Sequence, residues 1–208
     1  MKNILIHGLG QISKDWDTIK NELETRGISS VAPDLFDLAK GRKLDYPTVY
    51  QAFSELCESY QDKLNLCGLS LGGLLALNYA IQYPKKINSL VLIGTPFEIP
   101  KGLLKFQNIV FRFMPKAVFQ NMGVSKKDFI RLSKSMVDLN FMDSVTALDC
   151  PALILCGAKD KTNMESAKRF HEAMKNSKLV IVEASGHEVN KDNPNELVRV
   201  LQDFWADR

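Results

Sequence analysis

The sequence is poor in the features that mark most specialised classes of protein. Its four cysteines, Cys57, Cys67, Cys150 and Cys156, form no CxxC pair and share no metal-type spacing with the three histidines, which leaves zinc and iron–sulfur centres without support. Cys67 and Cys156 stand in apolar, strand-like runs and read as reduced, buried small hydrophobes. No sign of charge dominates: 27 basic against 24 acidic side chains leave a net +3, too balanced to argue for a nucleic-acid groove or an anionic membrane surface. Glycine and proline are neither scarce nor enriched, and no internal repeat, low-complexity tract or linker interrupts the chain, so disordered and fibrous classes fall away. Long hydrophobic runs are missing as well. The opening Met1-Lys2-Asn3-Ile4-Leu5-Ile6-His7-Gly8 reaches three apolar residues in a row before a histidine and a glycine, far short of a signal-peptide core or a membrane span. With unpatterned cysteines, the expectation is a cytoplasmic protein with no nucleic-acid partner and no membrane span.

What the chain does contain is a regular alternation of short apolar runs and amphipathic stretches, the pattern of a parallel sheet flanked by helices. Strand candidates are residues 3–6, 29–32, 64–67, 89–93, 152–156 and 179–182. Between them Trp16, Ile19 and Leu23 keep one helical face, and Val49, Tyr50, Phe53, Leu56, Cys57 and Tyr60 keep another, with Pro47 near its start where a missing N–H does no harm. Thr162-Asn163-Met164-Glu165 reads as a capping box opening a helix through Met174, and Asn193-Pro194-Asn195-Glu196 as the start of the last helix. At 208 residues one domain, 1–208, is expected. The alternation breaks between Phe97 and Leu148, where helical patterns follow one another with no convincing strand. That segment, 97–148, reads as an insertion over the sheet.

One stretch carries chemistry. In Leu64 to Ala80 an apolar strand pattern is interrupted by Gly68-Leu69-Ser70-Leu71-Gly72-Gly73 and resumes as a helix. A strand reversing sharply into a helix strains its corner residue and crowds the neighbouring side chains, and glycines at 68 and 72 relieve the crowding. The corner sets the Ser70 hydroxyl at a helix start, where unpaired backbone N–H groups can receive developing negative charge. This Gly-x-Ser-x-Gly, placed between a strand and a helix, resembles the nucleophile elbow of the α/β-hydrolase family.

A serine hydroxyl needs a histidine to take its proton and a carboxylate to hold that histidine. Of the three histidines, His171 falls within a helical stretch and reads as a surface residue. His187, in Ala184-Ser185-Gly186-His187 after the last strand, resembles the family's base in position and in its preceding glycine. Asp160, in Cys156-Gly157-Ala158-Lys159-Asp160 after the fifth strand, resembles the usual acid site, and the order Ser70, Asp160, His187 is the one the fold uses. Glu98 competes for the acid role, because some members carry it after the preceding strand. Asp34, after the second strand, is assigned a structural role. His7-Gly8-Leu9-Gly10 resembles the family's His-Gly-x-Gly motif, with His7 shaping the turn and the backbone N–H groups of Leu9 and Leu71 forming an oxyanion hole.

The resemblance implies a three-layer α/β-hydrolase fold. It departs from the common eight-stranded form in having no strands ahead of the first loop, so a reduced, six-stranded, all-parallel sheet is expected. Segment 97–148 lies where the family puts its lid, and Phe97, Phe106, Phe111 and Met114 are candidates to line an acyl site, together with Phe113, Phe119 and Met122. The segment holds eight basic against four acidic side chains, enough to receive an acidic carrier or substrate, although such a run is ordinarily a solvated helix face. The implied activity is that of a serine hydrolase acting on a small-molecule carboxylic ester or thioester, with no metal and no cofactor. Alternatives on the same residues are C–C cleavage, elimination or acyl transfer, or a hydrolase-like protein that binds without turnover.

Overall fold

A computed structural model describes residues 1–96, 111, 113–120 and 122–206. Its strands are β1 (Lys2–Ile6), β2 (Ser30–Val31), β3 (Leu64–Leu69), β4 (Ile87–Ile93), β5 (Ala152–Gly157) and β6 (Ser177–Val182). The helices are α1 (Asp17–Thr25), α2 (Leu35–Leu38), α3 (Tyr46–Ser59), α4 (Leu71–Gln82), α5 (Lys116–Gln120), α6 (Lys126–Ser135), α7 (Met142–Val145), α8 (Met164–Ala173), α9 (Val189–Asp192) and α10 (Pro194–Ala206).

The six strands form one sheet in the order β2-β1-β3-β4-β5-β6, every neighbouring pair parallel. The chain therefore has the expected reduced, six-stranded sheet. Because side chains alternate across a strand, each central strand feeds two cores. Ile4, Ile6, Leu66, Leu90, Leu92 and Ile154 point into one, roofed by α3 and α4. Leu5, Cys67, Val91, Ile93, Leu153 and Leu155 point into the other, where Trp16, Ile19 and Leu23 meet Leu197, Leu201, Phe204 and Trp205 of α10. Helix, sheet and helix make three layers. The continuous apolar runs of β3 to β5 follow from burial on both faces.

Boundaries shift where tertiary pairing overrides local pattern. Expected residues 29–32 narrow to Ser30–Val31, which pair only with Asn3 and Ile4 at the sheet edge. β3 runs on through Leu69, since parallel pairing with β4 continues to Ile93. α10 starts as expected, with Asn193 Oδ1 accepting from Glu196 N at 3.3 Å. At α8 the expected capping box is replaced: Asn163 occupies the N-cap position and makes no side-chain cap, its amide being drawn elsewhere.

Within segment 97–148 the described residues form α5, α6 and α7. Phe129 of α6 receives Phe111 and Phe119 edge-on, with ring centroids 5.0 and 5.1 Å apart. Ser135 Oγ accepts from Tyr46 N at 2.7 Å and so ties α6 to the start of α3. No helix among the described residues is long and apolar enough to cross a membrane.

Candidate active site

β3 ends at Leu69 and α4 begins at Leu71, so the whole reversal falls on Ser70, whose backbone sits at φ 51°, ψ −110°. A residue other than glycine with positive φ is strained, and the strain is held by what surrounds it. Ser70 N donates to Ile93 O at 2.9 Å, and Ser70 O accepts the Leu74 N–H at 3.0 Å. The glycines have steric roles: a Cβ on Gly68 would overlap the Gly72 carbonyl group, and one on Gly72 would overlap the Ile6 carbonyl oxygen. Both close approaches bring α4 hard against β1 and β3. Leu71 then occupies the first helical position, whose N–H has no acceptor within the helix.

The loop after β1 lies beside this corner. A Cβ on Gly8 would stand 3.4 Å from Leu69 O and 3.5 Å from Ser70 Cβ. His7 is fully buried. Its Nε2 accepts from Leu35 N at 3.0 Å, so Nδ1 carries the proton and donates to Gly8 O at 2.9 Å. Burial pushes this imidazole below its usual range, against the opposing pull of the Gly8 carbonyl, Asp34 and Asp15. His7 is thus a neutral brace for the loop that carries Leu9. Asp34 caps α2, accepting from Phe36 N and Asp37 N, and its other oxygen accepts from Ser13 N.

Two further loops converge from β5 and β6. Asp160 lies three residues beyond the end of β5 with its side chain 5% exposed, and His187 Nδ1 lies 2.8 Å from Asp160 Oδ2. A Cβ on Gly94 would stand 3.0 Å from His187 Nδ1 and 3.2 Å from Asp160 Oδ2. Since Ser70 N binds the preceding residue, Ile93, the end of β4 brings Ser70 and the His187–Asp160 pair to one edge of the sheet. The hydrogen bonds made by His187 to described residues run through Nδ1, leaving Nε2 for a proton donor; the side chain is 42% exposed.

Asn163 belongs to the same cluster, and sequence reading assigned it only to a helix start. Its Nδ2 donates to Asp160 Oδ1 at 3.0 Å and Oδ2 at 2.9 Å and lies 3.2 Å from His187 Nδ1, while its backbone N donates to Oδ1 at 3.2 Å. Burial alone would push the Asp160 carboxyl up. The hydrogen bonds from His187 and Asn163, with the attraction of His187, outweigh burial and hold it below the usual carboxylate range. The spacing Asp-x-x-Asn was a visible signal, because an Asx side chain three residues after a loop carboxylate can turn back to it.

Of the other candidates, Phe97, Phe106 and the competing acid Glu98 lie outside the described residues. Phe111, Met114 and Leu9 are half-buried and pack on the same face of the sheet as α3 and α4. Phe113 is 84% exposed. His171 is exposed and pairs with Ser177 Oγ at 2.9 Å. All four cysteines are unpaired, and burial pushes each thiol above its usual range, which makes them poor nucleophiles. Among the described residues there is no group of three or more His, Cys, Asp or Glu side chains that could hold a metal ion.

A strained serine at a strand–helix corner, a histidine–carboxylate pair at the same sheet edge and a glycine loop against the serine define a class of protein, and comparison with known proteins agrees. The family model of the alpha/beta hydrolase fold matches residues 4–139, and the chain belongs to that family. Lipase 3 of a Moraxella species is 26% identical, over 93% of this chain and 75% of its own. A Bacillus subtilis protein, provisionally named 2-succinyl-6-hydroxy-2,4-cyclohexadiene-1-carboxylate synthase, is 24% identical over 76% of this chain and 73% of its own. Among solved structures, a thermophilic esterase from Thermogutta terrifontis superposes with TM-score 0.82 at 18% identity, covering 100% of this chain and 90% of that one.

Proposed function

We propose that this chain is a serine hydrolase that cleaves a carboxylic ester or thioester of a small to medium acyl group. The observation that carries the reading is the 2.8 Å contact of His187 Nδ1 with a buried, donor-saturated Asp160, at the sheet edge where Ser70 sits in strained geometry. Ser70 Oγ attacks the acyl carbonyl while His187 Nε2 takes its proton. Asp160 keeps the Nδ1–H tautomer and stabilises the imidazolium. The N–H groups of Leu9 and Leu71 receive the oxyanion, each donor being worth about 3 kcal/mol in the transition state. His187 then returns the proton to the leaving alcohol or thiol, and water releases the acid from the acyl-enzyme through the same base. No step calls on a metal or organic cofactor. In this reading segment 97–148 is a lid, Phe111 and Met114 face the acyl chain, and the segment's basic residues receive an acidic carrier or substrate group.

The synthase-named relative favours one second reading, in which the same Ser70, His187 and Asp160 run elimination or transfer. The test is intact mass after a small fluorophosphonate, followed by product analysis on an ester and thioester panel. One adduct on the wild type, none on Ser70→Ala, and free acid lost by roughly 10⁴-fold or more in that variant are expected. An unlabelled wild type, or a labelled Ser70→Ala, would overturn the assignment. Turnover without free acid would move the second reading ahead.

A further inference from the structure

The oxyanion loop and the base loop come from strands far apart in the sheet: β1 and β6 are separated by β3, β4 and β5. The reaction proposed above needs the Leu9 N–H and His187 Nε2 at a fixed mutual distance, and the sheet links them only indirectly. A side-chain network links them directly. Gln11, 1% exposed, closes the oxyanion loop, its backbone N donating to Gly8 O at 3.2 Å. Its Nε2 donates to Glu188 Oε1 at 2.9 Å and to Asn190 Oδ1 at 3.1 Å, and its Oε1 accepts from Asn190 Nδ2 at 3.3 Å. Glu188 is the residue after His187. Asn190 is 2% exposed and also donates to Asp15 O at 3.1 Å. Lys191 closes the outside of the network, 3.1 Å from Asp15 Oδ1 and 3.5 Å from Glu188 Oε1.

The base loop has reason to need such a tie. Ala184, three residues before His187, is held at φ 62°, a strained conformation for a residue with a side chain. Its far flank is anchored by Lys159 N donating to Ser185 O and by Gly186 N donating to Asp192 Oδ2. Toward the oxyanion side it is anchored by the Gln11 contacts to Glu188 and Asn190 and by the Asn190 bond to Asp15 O. A buried amide whose donors and acceptor are all engaged by one neighbouring loop has a single good geometry, which is what positioning of reacting groups requires.

We propose that Gln11 is a positioning residue, clasping the loop that carries the Leu9 N–H to the loop that carries His187 through Glu188 and Asn190, and so setting the distance between oxyanion donor and base. The proposal deepens the serine-hydrolase reading and rests on it. A misplacement on the order of 1 Å costs about a hundredfold in rate, so the clasp is read in kcat rather than in binding.

The test compares wild type, Gln11→Met, Glu188→Ala, the double variant and Val200→Ala, a buried core control on α10 that is not a member of the hydrogen-bond network. The readouts are fluorophosphonate labelling rate, kcat and KM on the best ester, and Tm. Gln11→Met is expected to lower labelling rate and kcat by about 10- to 100-fold with KM within about twofold. Glu188→Ala, a half-buried change that leaves the core intact, is expected to do the same more mildly, and the double variant no worse than Gln11→Met, because contacting groups are not additive. Val200→Ala lowers Tm while keeping kcat. A labelled wild type with Gln11→Met and Glu188→Ala both within twofold of it overturns the clasp alone. So do losses that multiply in the double variant, or an equal loss in Val200→Ala. A wild type that takes no adduct overturns the serine-hydrolase reading and the clasp's catalytic role together.

Discussion

Asn163 shows how much of the site rests on single side chains. It spends both an amide and a backbone N–H on Asp160, and with His187 these donors keep a nearly buried carboxylate ionised. Hydrogen bonds to a charged group are worth roughly 1.5–3 kcal/mol. Asn163→Ala is therefore expected to lower kcat by about 10- to 100-fold with KM little changed, as steady-state kinetics on the best ester would show. The same variant loses part of a pH-linked stability. A carboxyl held below its usual value contributes stability above about pH 4 that disappears as pH falls through the lowered value. Urea titrations between pH 5 and 3 should thus show a shallower acid loss in Asn163→Ala than in wild type. An unchanged slope would mean that Asn163 does not hold the charge.

Among the elements, the strand ends are as tightly specified as the side chains they present. α4 is apolar around its whole circumference, with Leu71, Leu74, Leu75, Ala76, Leu77, Tyr79 and Ala80 buried, so it is fixed by packing on every side and brings the Ser70 corner with it. The end of β5 is equally close to the base loop: a Cβ on Gly157 would overlap the Gly186 carbonyl oxygen. Gly157→Ala must push the His187 loop outward or shift β5. Overpacking of this kind costs about 1–3 kcal/mol. We expect a Tm lower by several degrees together with at least a tenfold loss of ester turnover. Wild-type kinetics in that variant would show that the loop gives way without moving His187.

Across the whole molecule, acid stability is tied to the loop after β1. His7 is buried neutral between Leu35 N and Gly8 O, and its depressed proton affinity has a definite sign in folding. The unfolded chain takes up the proton near pH 6.5 while the folded chain resists it. Stability from this group is therefore complete above about 6.5 and falls as pH drops below it. The contribution reaches at most about 1.4 kcal/mol per pH unit. Denaturant midpoints from pH 7.5 to 5 should decline in wild type and decline less in His7→Gln, even though that variant starts from a lower midpoint. Parallel declines would locate the acid sensitivity elsewhere.

Much of this was legible in the residues themselves. Local hydrophobic pattern determined the alternation of strands and helices, because each central strand is apolar on both faces and each outer helix on one. The glycines around Ser70 announced a crowded corner, since only residues without Cβ permit the approach of α4 to β1. Strand ends were less legible: β2 is short because just two residues find partners on β1, a matter of pairing rather than propensity. The role of Gln11 was not legible, and that of Asn163 showed only as the Asp-x-x-Asn spacing. An Asn before a helix reads locally as a cap, and only the position of Asp160 and His187 turns its amide away. Gln11 and Asn190 are 179 residues apart in sequence, and nothing short-range connects them. The sequence by itself determined which residues could do chemistry and the order in which the chain presents them. Only the tertiary structure decided which of them meet, because hydrogen bonds act over about 3 Å and the loops that make these contacts are brought that close by the sheet beneath them.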